Sequence, residues 1–249
     1  MGAFSYARFS SPTVAEAERR LGELDGGEAL LFASGAAASA ALALALLSPG
    51  QKVALAEGAY YGTGVLLQEL GRWGLEHVEF DQTGAPPDGV DLVWLEAPSN
   101  PFLTMPDFAA AAAHPALVVC DSTAATPLEV KPLEQGCDVA LHSATKFLAG
   151  HDDALVGALV FSSSEQAARV REFRSRTGSI AAPDVAWLLL RERPAAATLA
   201  AIPDTRRLCK PGTSTLRTSG CSEAGPPRAE LPGMPAWGDD PELLATFRA

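Results

Sequence analysis

The chain has 249 residues, 47% hydrophobic and 20% charged, enough to bury one sizeable core with room for a small appendage. Its formal charge of -11 argues against nucleic acid and against an anionic membrane as partners, because both recruit cationic surface to displace counterions. Small metabolites are the expected partners.

The amino terminus shows no basic segment followed by an apolar one, and Tyr6 stands where a myristoylation signal needs Ser or Thr. Secretion and lipid anchoring are therefore not expected. Thr13 to Leu24 carries its apolar residues on one stripe and predicts a helix. A strand is expected over Glu28 to Ala33. It leads through Ser34-Gly35-Ala36 into an Ala-rich helix, Ala36 to Leu47, which ends at Ser48-Pro49-Gly50 and is too short to cross a bilayer. Backbone N–H groups and the helix dipole at that junction could receive a phosphate, although such junctions are more often plain capped turns.

Strands over Lys52 to Ala56 and His77 to Asp81 flank a helix from Val65 to Trp73. Further strands follow over Leu92 to Glu96, Leu117 to Asp121, Val139 to His142 and Leu155 to Phe161, then a helix over Gln166 to Arg176. This alternation of short apolar runs and helical segments predicts an α/β fold with a mainly parallel sheet covered on both faces. Such sheets place ligands at the carboxyl ends of their strands, where the polar residues of this chain collect.

Asp121 emerges from an apolar strand and needs a cationic or hydrogen-bonding partner. A pyridinium N–H would serve, or the carboxylate could cap the loop at Ser122-Thr123. Ser143-Ala144-Thr145-Lys146 brings two hydroxyls and an amine into one turn. A buried amine there is nucleophilic toward an aldehyde, whereas an exposed one is solvated.

His142 should point to the face opposite Ser143 as a packed or hydrogen-bonded histidine. No metal is assigned to His151, Asp152 and Asp153, since adjacent residues do not converge on one ion without a loop built for it. Trp73, Trp94 and Trp187 are expected in the core, and Arg169, Arg171, Arg174 and Arg176 on a solvated helix face. Cys120 and Cys137 lie in apolar or strand-like surroundings, and Cys209 and Cys221 are far apart. With no CxxC pattern, this suits a reducing cytoplasm. After Arg191, prolines from Pro194 to Pro241 interrupt a stretch without a sustained apolar period. The expected organisation is one large domain over 1–191, with an arm over 1–12, and an irregular Pro/Gly/Ser/Arg-rich tail over 192–249. That tail reads as a linker or as translation of a GC-rich gene in another frame.

Six segments, taken in order, resemble the cystathionine γ-synthase/γ-lyase family of fold-type I pyridoxal-phosphate (PLP) enzymes of Cys/Met metabolism. They are Tyr6-Ala7-Arg8, Ser34-Gly35, Tyr60-Tyr61-Gly62-Thr63, Glu96-Ala97-Pro98-Ser99-Asn100-Pro101, Asp121 to Pro127, and Ser143 to His151. The likeness runs from Tyr6 to about Arg191. It implies an aspartate aminotransferase-like large domain, three-layer α/β/α, with pyridoxal 5'-phosphate as cofactor.

By the same resemblance, Lys146 holds the cofactor as a Schiff base and later moves the substrate's α-proton. Asp121 keeps the pyridine nitrogen protonated, so that the ring accepts the substrate's electrons. Tyr60, with Tyr61 as a less favoured substitute, stacks on the ring and assists proton transfer to the leaving group. Ser34, the Gly35 and Ala36 amides, Ser143 and Thr145 surround the phosphate. Asn100 faces the ring's phenolic oxygen, Glu96 shares that loop, and Thr123 stands beside Asp121. Tyr6 and Arg8 reach the phosphate of a neighbouring subunit, which implies a homodimer, usually within a homotetramer.

The implied substrates are cystathionine or an activated homoserine, with C–S cleavage by a γ-lyase as first choice. γ-Synthase, β-lyase and homoserine sulfhydrylase activities are the alternatives, and a truncated PLP-binding protein without turnover is the reading from another class. A Rossmann-type nucleotide module is disfavoured because no G-x-G-x-x-G follows the first strand. The chain departs from the family in its short arm and in having Ser122 and Phe147 where relatives commonly have Asn and Tyr. No carboxyl-terminal α+β domain with a substrate-carboxylate arginine is recognisable: Arg206, Arg207, Arg217 and Arg228 lack a strand context.

Overall fold

The computed structural model describes residues 6–190. The Val/Leu-rich runs become β1 (Glu28–Phe32), β2 (Lys52–Ala56), β3 (Glu76–Phe80), β4 (Leu92–Glu96), β5 (Leu117–Asp121), β6 (Val139–His142) and β7 (Gly157–Phe161). They pair into one sheet in the order β1-β7-β6-β5-β4-β2-β3. All neighbours are parallel except β7, which runs antiparallel to both β6 and β1. The carboxyl ends of β1, β2, β4, β5 and β6 therefore open onto the same edge.

Around the sheet lie α1 (Pro12–Asp25), α2 (Gly35–Leu46), α3 (Tyr61–Leu70), the short α4 (Phe108–Ala112) and α5 (Thr126–Glu129), α6 (Ser164–Thr177) and α7 (Pro183–Leu190). Because side chains alternate along a strand, each strand feeds two cores. Leu30, Phe32, Leu55, Trp94, Leu141 and Leu159 pack against Leu42 of α2, Leu67 of α3 and Val170 of α6. The alternate residues Leu31, Ala140 and Val160 pack against Val14 and Leu21 of α1 and Ala186 of α7. Val93, Leu95 and Cys120 on that second face meet Ala111 of α4. This is the expected three-layer α/β/α architecture.

The helix ends follow from their caps. Ser11 accepts a hydrogen bond from Val14 N at the start of α1, with Pro12 at the first helical position, and Gly26 ends the helix in the left-handed region at φ 87°.

Several expectations need correction. Trp94 is buried, but Trp73 is 71% exposed and Trp187 57% exposed. Trp73 sits in the turn Gly71–Trp73 beyond the buried stripe Thr63, Leu67 and Leu70 of α3. Trp187 lies one residue, about 100° of helix, from the buried Ala186. Arg174 is not on a solvated face: Ala167, Val170 and Arg174 form the inward stripe of α6, and Arg174 is 1% exposed. Its guanidinium donates to Glu18 Oε1 at 2.5 Å and to Leu31 O at 2.7 Å, while Glu18 Oε1 accepts from Leu31 N at 2.9 Å. The pair thus caps the open side of the edge strand β1. Arg171 pairs with Glu28, Arg176 with Glu172, and Arg169 donates to Ala45 O, all nearer the surface.

β7 begins at Gly157 rather than Leu155, which is 62% exposed. α3 begins at Tyr61 rather than Val65. His142 is fully buried, with Nε2 2.5 Å from Asp25 Oδ2, as a hydrogen-bonded histidine should be. Cys120 and Cys137 are buried free thiols. Among the described residues no helix is long and apolar enough to cross a membrane. The first five residues, Cys209, Cys221, the arginines from Arg206 to Arg228 and the tail over 192–249 lie outside the described residues.

Candidate active site

The carboxyl edge gathers most of the candidate residues. At the end of β1, Ser34 accepts from Ala37 N at 3.0 Å and caps α2, leaving the Gly35 and Ala36 amides in its first turn. The capped turn and the anion-binding junction are thus the same structure. Two glycines permit its packing. A Cβ on Gly35 would lie 3.0 Å from Ser143 Cβ, and one on Gly157 would lie 2.1 Å from Ser34 O. The Ser34–Ala36 turn is therefore pressed between the Ser143 turn and the start of β7.

Beyond β2 the chain bends to Tyr60, at the start of α3 and 44% exposed. Its ring lies over Gly62, where a Cβ would come within 2.5 Å of Tyr60 Cε1, and meets Tyr61 edge-on at 4.9 Å between centroids. The Tyr60 phenol is held above its ordinary pKa first by burial, then by Tyr61, Asp121 and Glu96.

Glu96 and Asp121 end adjacent strands in register. Glu96 Oε2 accepts from Tyr60 N at 2.6 Å. Burial, and then the Asp121 charge, raise its carboxyl to about 8, against the backbone amides of Tyr60 and Asn100, which pull it down. Asp121 is also raised by burial, opposed by hydrogen bonds from Thr123 and by the charge of His142. Asp121 Oδ1 accepts from Thr123 N at 2.9 Å and Thr123 Oγ1 at 2.5 Å, and that hydroxyl accepts from Ser143 N at 2.8 Å. Thr123 therefore ties Asp121 to the Ser143–Lys146 turn. This is the local cap that the sequence allowed, and it leaves Asp121 Oδ2 for another donor.

After β6, Lys146 stands exposed on the turn that follows Ser143, with Lys146 N donating to Ser143 O at 3.0 Å. Its exposure departs from the buried amine considered above. Thr145 Oγ1 donates to Val156 O and accepts from Val156 N. A hydroxyl has one proton, so in this rotamer Thr145 braces the turn and Ser143 is the hydroxyl left for an anion. Asn100 is exposed at the tip of the loop after β4. Tyr6 and Arg8 are not part of this cluster. Arg8 donates to Ser175 O at 2.7 Å at the end of α6 and lies over the Tyr6 and Phe9 rings.

Sequence reasoning missed Gln82, which is 2% exposed. It donates to Glu96 O and Thr104 O and accepts from Glu96 N. No local pattern marks it, because its partners are 14 and 22 residues away.

Two buried carboxyls without an ion pair among the described residues fit a cationic ring N–H. The Ser34–Ala36 and Ser143 turns fit a phosphate, and Lys146 supplies an amine three residues after Ser143.

The sequence pattern of the family described as Cys/Met metabolism PLP-dependent enzyme matches residues 1–193. A putative cystathionine γ-lyase of Streptomyces coelicolor is 37% identical over 204 residues, covering 76% of this chain and 52% of that protein. A cystathionine γ-synthase of Mycobacterium bovis is 35% identical over 202 residues, with the same coverages. The solved cystathionine γ-synthase of Xanthomonas oryzae in complex with cystathionine superposes with a TM-score of 0.74 at 30% identity, over 80% of this chain and 54% of that one. The chain spans about half the length of the curated relatives it matches.

Proposed function

Because the chain belongs to the family of Cys/Met-metabolism PLP-dependent enzymes, we propose that residues 1–191 form a PLP-binding domain acting on the C–S bond of a sulfur amino acid, cystathionine γ-lyase-like. The observation that carries this reading is the convergence of Ser34–Ala36, Tyr60, Glu96, Asp121 and Ser143–Lys146 on one sheet edge. Cystathionine or an activated homoserine is the proposed substrate class. γ-Synthase, β-lyase and sulfhydrylase chemistry remain variants of the same reading. A cytoplasmic location suits the two buried free thiols.

Pyridoxal phosphate, when bound, supplies an aldehyde for amines and a ring that accepts electrons. The residues of the chain do the rest. Lys146 offers its Nζ to the aldehyde and then carries a proton to and from the substrate carbon. Lys52 and Lys131 are paired with Glu76 and Glu134, so among the described lysines Lys146 is the one outside an ion pair. Asp121 gives a carboxylate oxygen to a ring N–H, the cationic partner that its burial calls for. The Tyr60 phenol, kept protonated, delivers its proton to the departing sulfur. The amides at the start of α2 and the Ser143 hydroxyl receive the phosphate, and Asn100 faces the ring oxygen. Tyr6 and Arg8, apart from their own cluster, serve the site of a second copy in a homodimer or homotetramer.

One observation favours a second reading, a cofactor-binding protein without turnover. Every arginine among the described residues already has a partner of its own, from Arg8 on Ser175 to Arg176 on Glu172. None of them is left unengaged for a substrate carboxylate.

The test is the visible spectrum of the purified chain with added PLP. The expected result is a yellow band that borohydride bleaches and that Lys146→Ala abolishes; colourless protein would defeat the proposal. Release of cysteine, ammonia and 2-oxobutyrate from cystathionine then separates a lyase from an inert binder.

A further inference from the structure

We propose that Gln82 is a positioning residue of this site, its buried carboxamide holding the main chain at Glu96 and Thr104 and thereby the places of Glu96, Tyr60 and Asn100. The inference rests on the cofactor reading above.

β4 outruns its neighbour. The pairing of β2 with β4 ends at Leu55 and Trp94, and β2 then parts from β4, staying on β3 through Ala56 and Phe80 before the chain turns toward Tyr60. On the β5 side the ladder continues, with Ala97 N donating to Asp121 O at 2.9 Å. On the β2 side Glu96 faces no strand.

Gln82, two residues beyond β3, fills that gap. Its Nε2 donates to Glu96 O at 2.9 Å and its Oε1 accepts from Glu96 N at 3.1 Å. These are the bonds a peptide group of the missing strand would make, supplied by a side chain. The same Nε2 reaches Thr104 O at 3.1 Å and Thr104 Oγ1 at 3.2 Å. The far end of the loop is closed on itself by Ser99 Oγ and Thr104 Oγ1 at 2.6 Å and by Thr104 N to Ser99 Oγ at 3.0 Å.

One buried residue thus pins both ends of the segment 96–104. Asn100 is inside it, and the carboxyl that accepts from Tyr60 N is at its start. An apolar side chain at position 82 would leave the Glu96 N–H and carbonyl buried without partners and Thr104 O with the Ser99 N–H alone, and the segment would relax to find others.

The test compares Gln82→Leu with Leu21→Ala, a core truncation in α1 away from the loop that serves as a control for general destabilisation. In cofactor-free protein, hydrogen exchange at Ser99, Leu103 and Thr104 should rise about tenfold or more in Gln82→Leu, with no such selective rise in Leu21→Ala. Titration with PLP should show about tenfold weaker binding for Gln82→Leu only, the loss expected for displaced site groups. In Gln82→Glu the deficit should close as pH falls, because a protonated acid again offers one O–H and one carbonyl. Lost packing alone would give no such recovery.

Unchanged exchange over 97–104 in Gln82→Leu would overturn the proposal. So would an affinity loss no larger than that of Leu21→Ala. Should the unaltered chain give no visible band, the cofactor reading falls, and the exchange data alone decide whether Gln82 holds the loop.

Discussion

Replacing Glu96 by glutamine should flatten the dependence of stability on pH. Glu96 is 7% exposed, and its carboxyl is raised from 4.5 to about 8, first by burial and second by Asp121. An acid whose folded pKa exceeds its unfolded value holds more protons when folded. Its contribution is therefore fully present below about pH 4.5 and is lost as pH rises through about 8. The difference, 8 minus 4.5, at about 1.36 kcal/mol per unit, is worth about 5 kcal/mol. That is an upper bound, because Asp121 is raised by the same burial and the two carboxyls titrate as a pair. Glu96→Gln keeps the shape and the acceptor for Tyr60 N but carries no charge. The assay is urea unfolding of the cofactor-free protein at intervals from pH 5 to pH 8.5. The unaltered chain should lose several kcal/mol across that range, and Glu96→Gln markedly less, the remainder belonging to Asp121. Identical pH slopes for the two proteins would refute the claim that Glu96 is a desolvated carboxyl facing a second one.

Two further outcomes follow from packing. Gly157→Ala places a Cβ 2.1 Å from Ser34 O and 2.7 Å from Gly35 N, so it should destabilise by about 3 kcal/mol and weaken PLP binding; denaturant unfolding and a PLP titration read both, and unaltered stability would contradict the close approach. Arg174→Met leaves the Glu18 carboxylate without its buried partner and should destabilise by about 3–5 kcal/mol, while the double variant Glu18→Gln, Arg174→Met should recover part of that loss, as measured by urea unfolding.

Periodicity alone placed the strands to within a residue or two, because a strand buried on both faces can only be an apolar run such as Leu92 to Glu96 or Leu117 to Asp121. The places where it failed share one cause. Arg174 looks like a surface charge from its neighbours Arg171 and Arg176. It is buried because Glu18 and Leu31, distant in the chain, arrive beside it. Trp73 and Trp187 look like core by residue type, yet helix phase and the end of a stripe turn them outward. Gln82 resembles any polar loop residue until the early departure of β2 creates a gap for its amide to fill.

The sequence by itself determined the α/β class, the strand ends where chemistry would gather, and, through the ordered motifs around Lys146, the family. These are local properties: apolar period, turn residues, and short segments each read within ten residues or so of chain. Only the tertiary structure decided that Glu96 and Asp121 stand side by side as buried carboxyls, that Thr123 links Asp121 to the Ser143 turn, that Thr145 braces Val156, and that Arg8 lies on α6 rather than beside Lys146. Each of these depends on which strands become neighbours and where each one stops. Strand order is a global outcome of packing two cores against one sheet, and no local segment of the chain encodes it.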